Sequence, residues 1–86
     1  MRQAIATPRF ERDARKVSKE ILTAFDEVFP QLCQYPTDPT LRVKKLVNVH
    51  PPVWRLRIGA YRLLYTFDAK YLFLIGLKHR KDAYRP

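Results

Sequence analysis

The sequence predicts an α+β fold: two N-terminal helices packed on one face of a small twisted, mainly antiparallel β-sheet. Two stretches define the sheet and a third its cover. Trp-Arg-Leu-Arg-Ile (54–58) and Tyr-Arg-Leu-Leu-Tyr-Thr-Phe (61–67) alternate in character with period two, and only Gly59-Ala60 separates them. This is a β-hairpin signature, with Gly placed where a type II′ turn needs a positive φ. Upstream, Ile21, Phe25, Val28 and Leu32 recur at helical spacing, widened by Leu22, Phe29 and Cys33, and form a stripe able to cover a sheet. Eighty-six residues hold one such helix-on-sheet core, so residues 1–86 are expected to be a single domain.

Taken in order, residues 2–6 predict a short first strand. Thr7-Pro8 reads as an N-cap followed by proline in the first turn, and Phe10, Ala14 and Val17 carry a helix from Pro8 to about Val17. Ser18 caps the second helix, where Pro30 predicts a kink or an early end near Val28. Pro36, Asp38 and Pro39 stop any continuation. Leu41 to Leu46 alternates and reads as strand or extended loop, and Val47 to Pro52 as a connection in which His50 is a loop side chain. The two-residue turn then pairs Ile58 with Tyr61, Arg57 with Arg62, Leu56 with Leu63 and Trp54 with Tyr65. A three-residue loop, Asp68-Ala69-Lys70, leads into a last strand over 71–78. That loop length pairs Thr66 with Leu72, sets Phe73, Ile75 and Leu77 on the apolar face, and lays Gly76 beside Arg62 with Lys78 extending the basic row.

Charge is unevenly spread along this frame. The chain carries a formal net charge of +9. Residues 1–40 hold six basic and six acidic side chains, whereas residues 41–86 hold eleven basic and only Asp68 and Asp82. Such polarisation fits a polyanionic partner: nucleic acid first, an acidic protein second, an anionic membrane last, because the basic residues alternate on strands instead of lining an amphipathic helix. Lone Cys33 excludes an internal disulfide and reads as a buried small hydrophobe. No signal-peptide core and no membrane-length apolar run is present, and the cytoplasm is the expected location.

Arg55, Arg57 and Arg62 share the face opposite the apolar one. Like charges directly across a strand pair destabilise it by roughly 0.2 to 1 kcal/mol, so either an anion sits between Arg57 and Arg62 or the two side chains splay into solvent. For a phosphodiester, guanidinium groups suit the stabilisation of charge on phosphoryl oxygens but are poor bases. RNA supplies its own nucleophile in the 2′-hydroxyl. His79 is the natural proton carrier, with Lys78 and Tyr84 next in line. Tyr84 also fits a ring that stacks on a splayed base, the alternative being a ring folded on the domain edge. No His, Cys and carboxylate cluster has metal-ligand spacing, so no metal or cofactor is expected.

Four segments carry a resemblance to a known family: Phe10-Glu-Arg-Asp13, Pro36-Thr-Asp-Pro-Thr-Leu-Arg-Val-Lys-Lys-Leu46, Trp54 to Tyr65, and Lys78-His-Arg-Lys-Asp-Ala-Tyr84. In this order and at these spacings the chain resembles the RelE/ParE toxin superfamily of toxin–antitoxin systems. The resemblance implies a cognate antitoxin that wraps the toxin in a hetero-oligomer. For the RelE-like branch it also implies metal-independent cleavage of mRNA on the ribosome by 2′-hydroxyl attack. By position it assigns Arg55, Arg57, Arg62, His79, Arg80 and Tyr84 to catalysis and places Arg42, Lys44, Lys45, Lys78, Lys81 and Arg85 along the RNA path. Two positions hold Arg where Lys is common, which throws weight on His79, and the sequence stops too soon after Tyr84 for the C-terminal helix of some relatives. ParE-like members share the scaffold and poison DNA gyrase instead, and an RNA-binding relative without activity is a third reading.

Overall fold

The computed structural model describes residues 1–81. Its elements run β1 (Gln3–Ala6), α1 (Pro8–Ala14), α2 (Lys19–Gln34), a 3-10 turn (Pro39–Leu41), β2 (Lys44–Lys45), β3 (Trp54–Ile58), β4 (Tyr61–Phe67) and β5 (Tyr71–His79). The five strands lie in the order β1-β5-β4-β3-β2, with β1 parallel to β5 and the other pairs antiparallel.

The hairpin has the register that its two-residue turn dictates. Ile58 faces Tyr61, Arg57 faces Arg62, Leu56 faces Leu63 and Trp54 faces Tyr65. Gly59 has φ +58, and a Cβ there would come within 3.0 Å of Ile21 Cδ1, so both backbone conformation and space favour glycine. Leu56, Ile58, Leu63 and Tyr65 are buried with Phe25, Leu32 and Cys33 of α2. The Tyr65 hydroxyl donates to the Pro36 carbonyl and ties the chain after α2 to the sheet.

Both helices start as expected and end differently. Thr7 Oγ1 accepts from Phe10 N at 3.2 Å and Ser18 Oγ from Ile21 N at 3.4 Å, so each opens on a side-chain cap. Helix α1 stops at Ala14, short of Val17. Helix α2 runs through Pro30 to Gln34 instead of ending near Val28. Pro30 leaves the Asp26 carbonyl without its helical donor, but both residues are exposed and water can fill the place. Beyond it Leu32 and Cys33 enter the core, and each buried side chain of this kind contributes about 1.5 to 3 kcal/mol, enough to carry the helix past the proline.

The last strand departs most from expectation. Asp68 Oδ1 accepts from both Lys70 N (2.8 Å) and Tyr71 N (2.7 Å), and Asp68 N donates to Tyr71 O, closing a tighter turn than the three-residue loop. These amides hold the Asp68 carboxyl below its usual range. Thr66 therefore pairs with Phe73 and Phe67 with Leu72, so Leu72 and Leu74 face the core and Phe73 does not. A register shift between Leu64 and Tyr65 then leaves Ile75 as an extra residue on β5. Past this bulge Leu64 pairs with Gly76, Leu63 with Leu77 and Arg62 with Lys78, which returns Leu77 to the core and places Gly76 beside Leu64 instead of Arg62.

Helix α1 is latched to the edge of β5 where β1 leaves it. Thr7 donates its hydroxyl to Leu74 O (2.8 Å), and Asp13, only 8% exposed, accepts from Leu77 N (3.0 Å) and from Lys78 Nζ (3.0 Å). A Cβ at position 76 would stand 3.1 Å from Asp13 Oδ2, so Gly76 makes room for the carboxylate.

Two stability outcomes follow from these ties. Tyr65→Phe leaves the Pro36 carbonyl without its donor and should cost about 1 to 2 kcal/mol in urea unfolding. Asp13→Ala orphans the Leu77 amide and frees Lys78; a loss of about 1 to 3 kcal/mol is expected, and wild-type stability would show that the latch contributes nothing.

Candidate nucleic-acid interface

Strand alternation assigns each basic residue to a face. Across β3, β4 and β5, Arg57, Arg62 and Lys78 form one row on the side turned away from α2, and Lys44, Arg55, Leu64 and Gly76 form the next. Arg80 follows directly in the turn after β5, and its N–H donates to Ala60 O at 2.7 Å. Arg42 reaches the region from the loop before β2. It caps the 3-10 turn in the left-handed region, φ +56, and with Leu41, Arg55, Arg57 and Gly59 lines an open hollow of ≈ 470 Å³.

The members of this cluster differ in surroundings. Arg62 is only 7% exposed; its Nη1 donates to Tyr61 O at 3.2 Å, while its Nε has no hydrogen-bond partner among the described residues. A buried N–H without a partner costs about 1 to 3 kcal/mol, and an anion over the row would remove that penalty. Arg57 is exposed. Lys78 is held by Asp13, which neutralises one cation of the row and draws its ammonium toward the β5 edge.

Not every expected residue joins them. His79 pairs with Tyr61 and therefore lies on the opposite face from Arg62 and Lys78. Its ring meets Tyr61 edge-on, with centroids 5.3 Å apart, and its Nδ1 accepts from Lys81 N at 3.3 Å. With Asp13, Lys16, Val17, Tyr61, Leu77 and Lys78 it lines a separate hollow of ≈ 240 Å³. The expected convergence of His79 on the arginines is thus not met, because β5 runs on to His79 and parity turns it to the helix side. Lys45 pairs with Trp54 and likewise leaves the basic face. Lys81 is exposed in the turn after β5, and Tyr84 and Arg85 lie outside the described residues. Among the described residues no three His, Cys, Asp or Glu side chains are grouped as a metal site needs.

Sequence reasoning missed Asp13. Its spacing of three from Phe10 on α1 was the available signal, since both fall on one side of the helix and both are buried. The assembled face can bind and stabilise phosphoryl oxygens, and near the arginines it carries no imidazole among the described residues.

Comparison with known proteins agrees with this architecture. Residues 4–84 match the family model of the ParE toxin of the type II toxin–antitoxin system parDE. Among solved structures, the chain is similar to the toxin–antitoxin complex RelBE2 from Mycobacterium tuberculosis at 30% identity, covering 92% of this chain and 98% of that one, with a TM-score of 0.74. It also resembles the archaeal RelE–RelB complex from Pyrococcus horikoshii OT3 at 22% identity, covering 95% and 98%, with a TM-score of 0.77, and the DinJ–YafQ complex from E. coli at 12% identity, covering 99% and 100%, with a TM-score of 0.72. No curated protein matches the chain in sequence. The chain belongs to the RelE/ParE superfamily and is a toxin of a type II toxin–antitoxin system.

Proposed function

We propose that this toxin is a metal-independent endoribonuclease that cuts mRNA on the ribosome. The observation that carries the reading is the row Arg57–Arg62–Lys78, with Arg55 beside it, on the sheet face turned away from α2. In the proposed step the 2′-oxygen attacks the adjacent phosphorus, the bond to the 5′-oxygen breaks, and a 2′,3′-cyclic phosphate and a 5′-hydroxyl result. Arg55, Arg57 and Arg62 hold the non-bridging oxygens as negative charge grows on them, and Arg80 reaches the same phosphate from the end of β5. With His79 on the other side, the 2′-hydroxyl proton passes to water and the leaving oxygen takes its proton from water.

Such a site depends on an RNA presented in line for attack. Orientation alone can remove roughly 7 to 11 kcal/mol of a barrier, and a ribosome that holds mRNA in a fixed path supplies that orientation. This places the toxin in the cytoplasm. Its partner is an antitoxin with an acidic segment that lies over the basic face in a hetero-oligomer, a reading supported by the toxin–antitoxin complexes among its solved relatives.

A second reading is favoured by the position of His79 and by the ParE family model: the same basic face docks on a protein target such as DNA gyrase and cuts no RNA. Mapping mRNA 5′ ends in translating cells separates the two. Wild type should create new ends, and Arg57→Gln or Arg62→Gln should reduce them about 100-fold or more. The urea midpoint of these variants should stay level or rise, as the like-charge row relaxes. Growth arrest with gyrase-linked DNA breaks and no new 5′ ends would transfer the function to the docking reading.

A further inference from the structure

The open sheet face has a second end that the arginine chemistry does not use. Because the turn after β4 is tight, Phe73 pairs with Thr66 and with Ile5 of β1, and Tyr71 pairs with Gln3, all on the side away from the core. Tyr71, the first residue of β5, and Ile5, on the edge strand β1, remain 37% and 39% exposed and form an apolar patch on that side. The Tyr71 and Phe73 rings lie 6.0 Å apart with a tilt of 47°. From the Lys78 row to the Phe73 row is roughly 15 Å along the strand, a distance that a few nucleotides of single strand cover.

We propose that Tyr71 and Phe73 form a base-stacking platform for the single-stranded RNA whose phosphates lie on Arg57, Arg62 and Arg55. The inference rests on the nuclease reading for its substrate class and adds to it where the unpaired bases go. A cationic groove beside aromatic rings on one surface is the combination that holds single strands: charge tracks the backbone, and rings take bases irrespective of sequence. Exposed Gln3, next to Tyr71, has both a donor and an acceptor for the edge of a stacked base. A protein helix is the poorer fit. Its apolar face wants a groove of aliphatic side chains, whereas this patch is two rings and Ile5 on a sheet face that continues into cations.

The test uses the whole toxin and a 2′-O-methyl oligouridine, which has no free 2′-hydroxyl and so reports binding without cleavage. Fluorescence anisotropy over a salt series should show Tyr71→Ala weakening binding about tenfold with an unchanged salt slope, and Tyr71→Phe binding as wild type does. Arg57→Gln should instead lower the salt slope by about one. On an abasic strand of equal length, Tyr71→Ala should make no difference. Equal affinity of wild type and Tyr71→Ala for the oligouridine would overturn the platform, as would an equal loss on the abasic strand or a defect confined to antitoxin binding. A Tyr71-dependent oligouridine complex from a toxin that makes no new mRNA 5′ ends would uphold the platform and sink the nuclease reading. New 5′ ends with no Tyr71 dependence would do the reverse.

Discussion

The turn at Gly59-Ala60 has two residues, and that length decides the face of every side chain on β3 and β4. A slip of one position would drive Arg62 and Leu64 under α2 and expose Leu63 and Tyr65, both fully buried in the native register. The magnitudes settle which demand wins. Burying Leu56, Ile58, Leu63 and Tyr65 stabilises the domain by about 1.5 to 3 kcal/mol each, whereas setting Arg57 opposite Arg62 costs roughly 0.2 to 1 kcal/mol. The core therefore enforces a cationic row that no local preference would choose. That row is as fixed as the core it backs onto, which is what a binding surface for a flexible polyanion needs, since a preorganised face loses less freedom on binding.

How much of this could be read from the sequence depended on whether periodicity carried information. Over 54–67 polar and apolar residues alternate on both sides of the turn, with Leu64 the exception, and the hairpin register follows residue for residue. Over 71–77 nearly every residue is apolar, so alternation is silent about which side faces the core. There the outcome was set by Asp68, whose carboxylate closes the tight turn, and by the bulge at Ile75. His79 shows how narrow the margin is. The residue type suited proton transfer, but a strand one residue longer than expected turned its ring to the helix side, and a parity of one separates a catalytic position from a packing one. Pro30 and Asp13 were opaque for another reason. Both are exceptions to local rules that tertiary context permits: an exposed carbonyl that water can satisfy, and an acid buried because the strand edge offers it an amide and an ammonium.

Membership of the superfamily fixes the scaffold more firmly than the chemistry. The fold is shared with the archaeal complex at a TM-score of 0.77 although only 22% of residues are identical. Activity is therefore argued from this chain's own side chains. Those side chains concentrate positive charge on one face, and Asp13 answers Lys78 there. Its effect is to thin the repulsion at the β5 end of the row while Arg62, with its unpartnered Nε, remains available to an anion.

The bulge at Ile75 connects the two ends of that surface. With the tight turn and no bulge, Leu72, Leu74, Gly76 and Lys78 would all point to the core, and a lysine would lie under the helices. With the three-residue loop and no bulge, Lys78 would reach the open face, but Tyr71 and Phe73 would be buried. One extra residue changes the phase midway along β5, so that the strand shows aromatic rings on the open face before the bulge and a cation on it afterwards, while Leu72, Leu74 and Leu77 still fill the core. A regular strand cannot satisfy all three requirements at once. The irregularity is therefore the structural condition for a single sheet face that carries aromatic rings at one end and cations at the other.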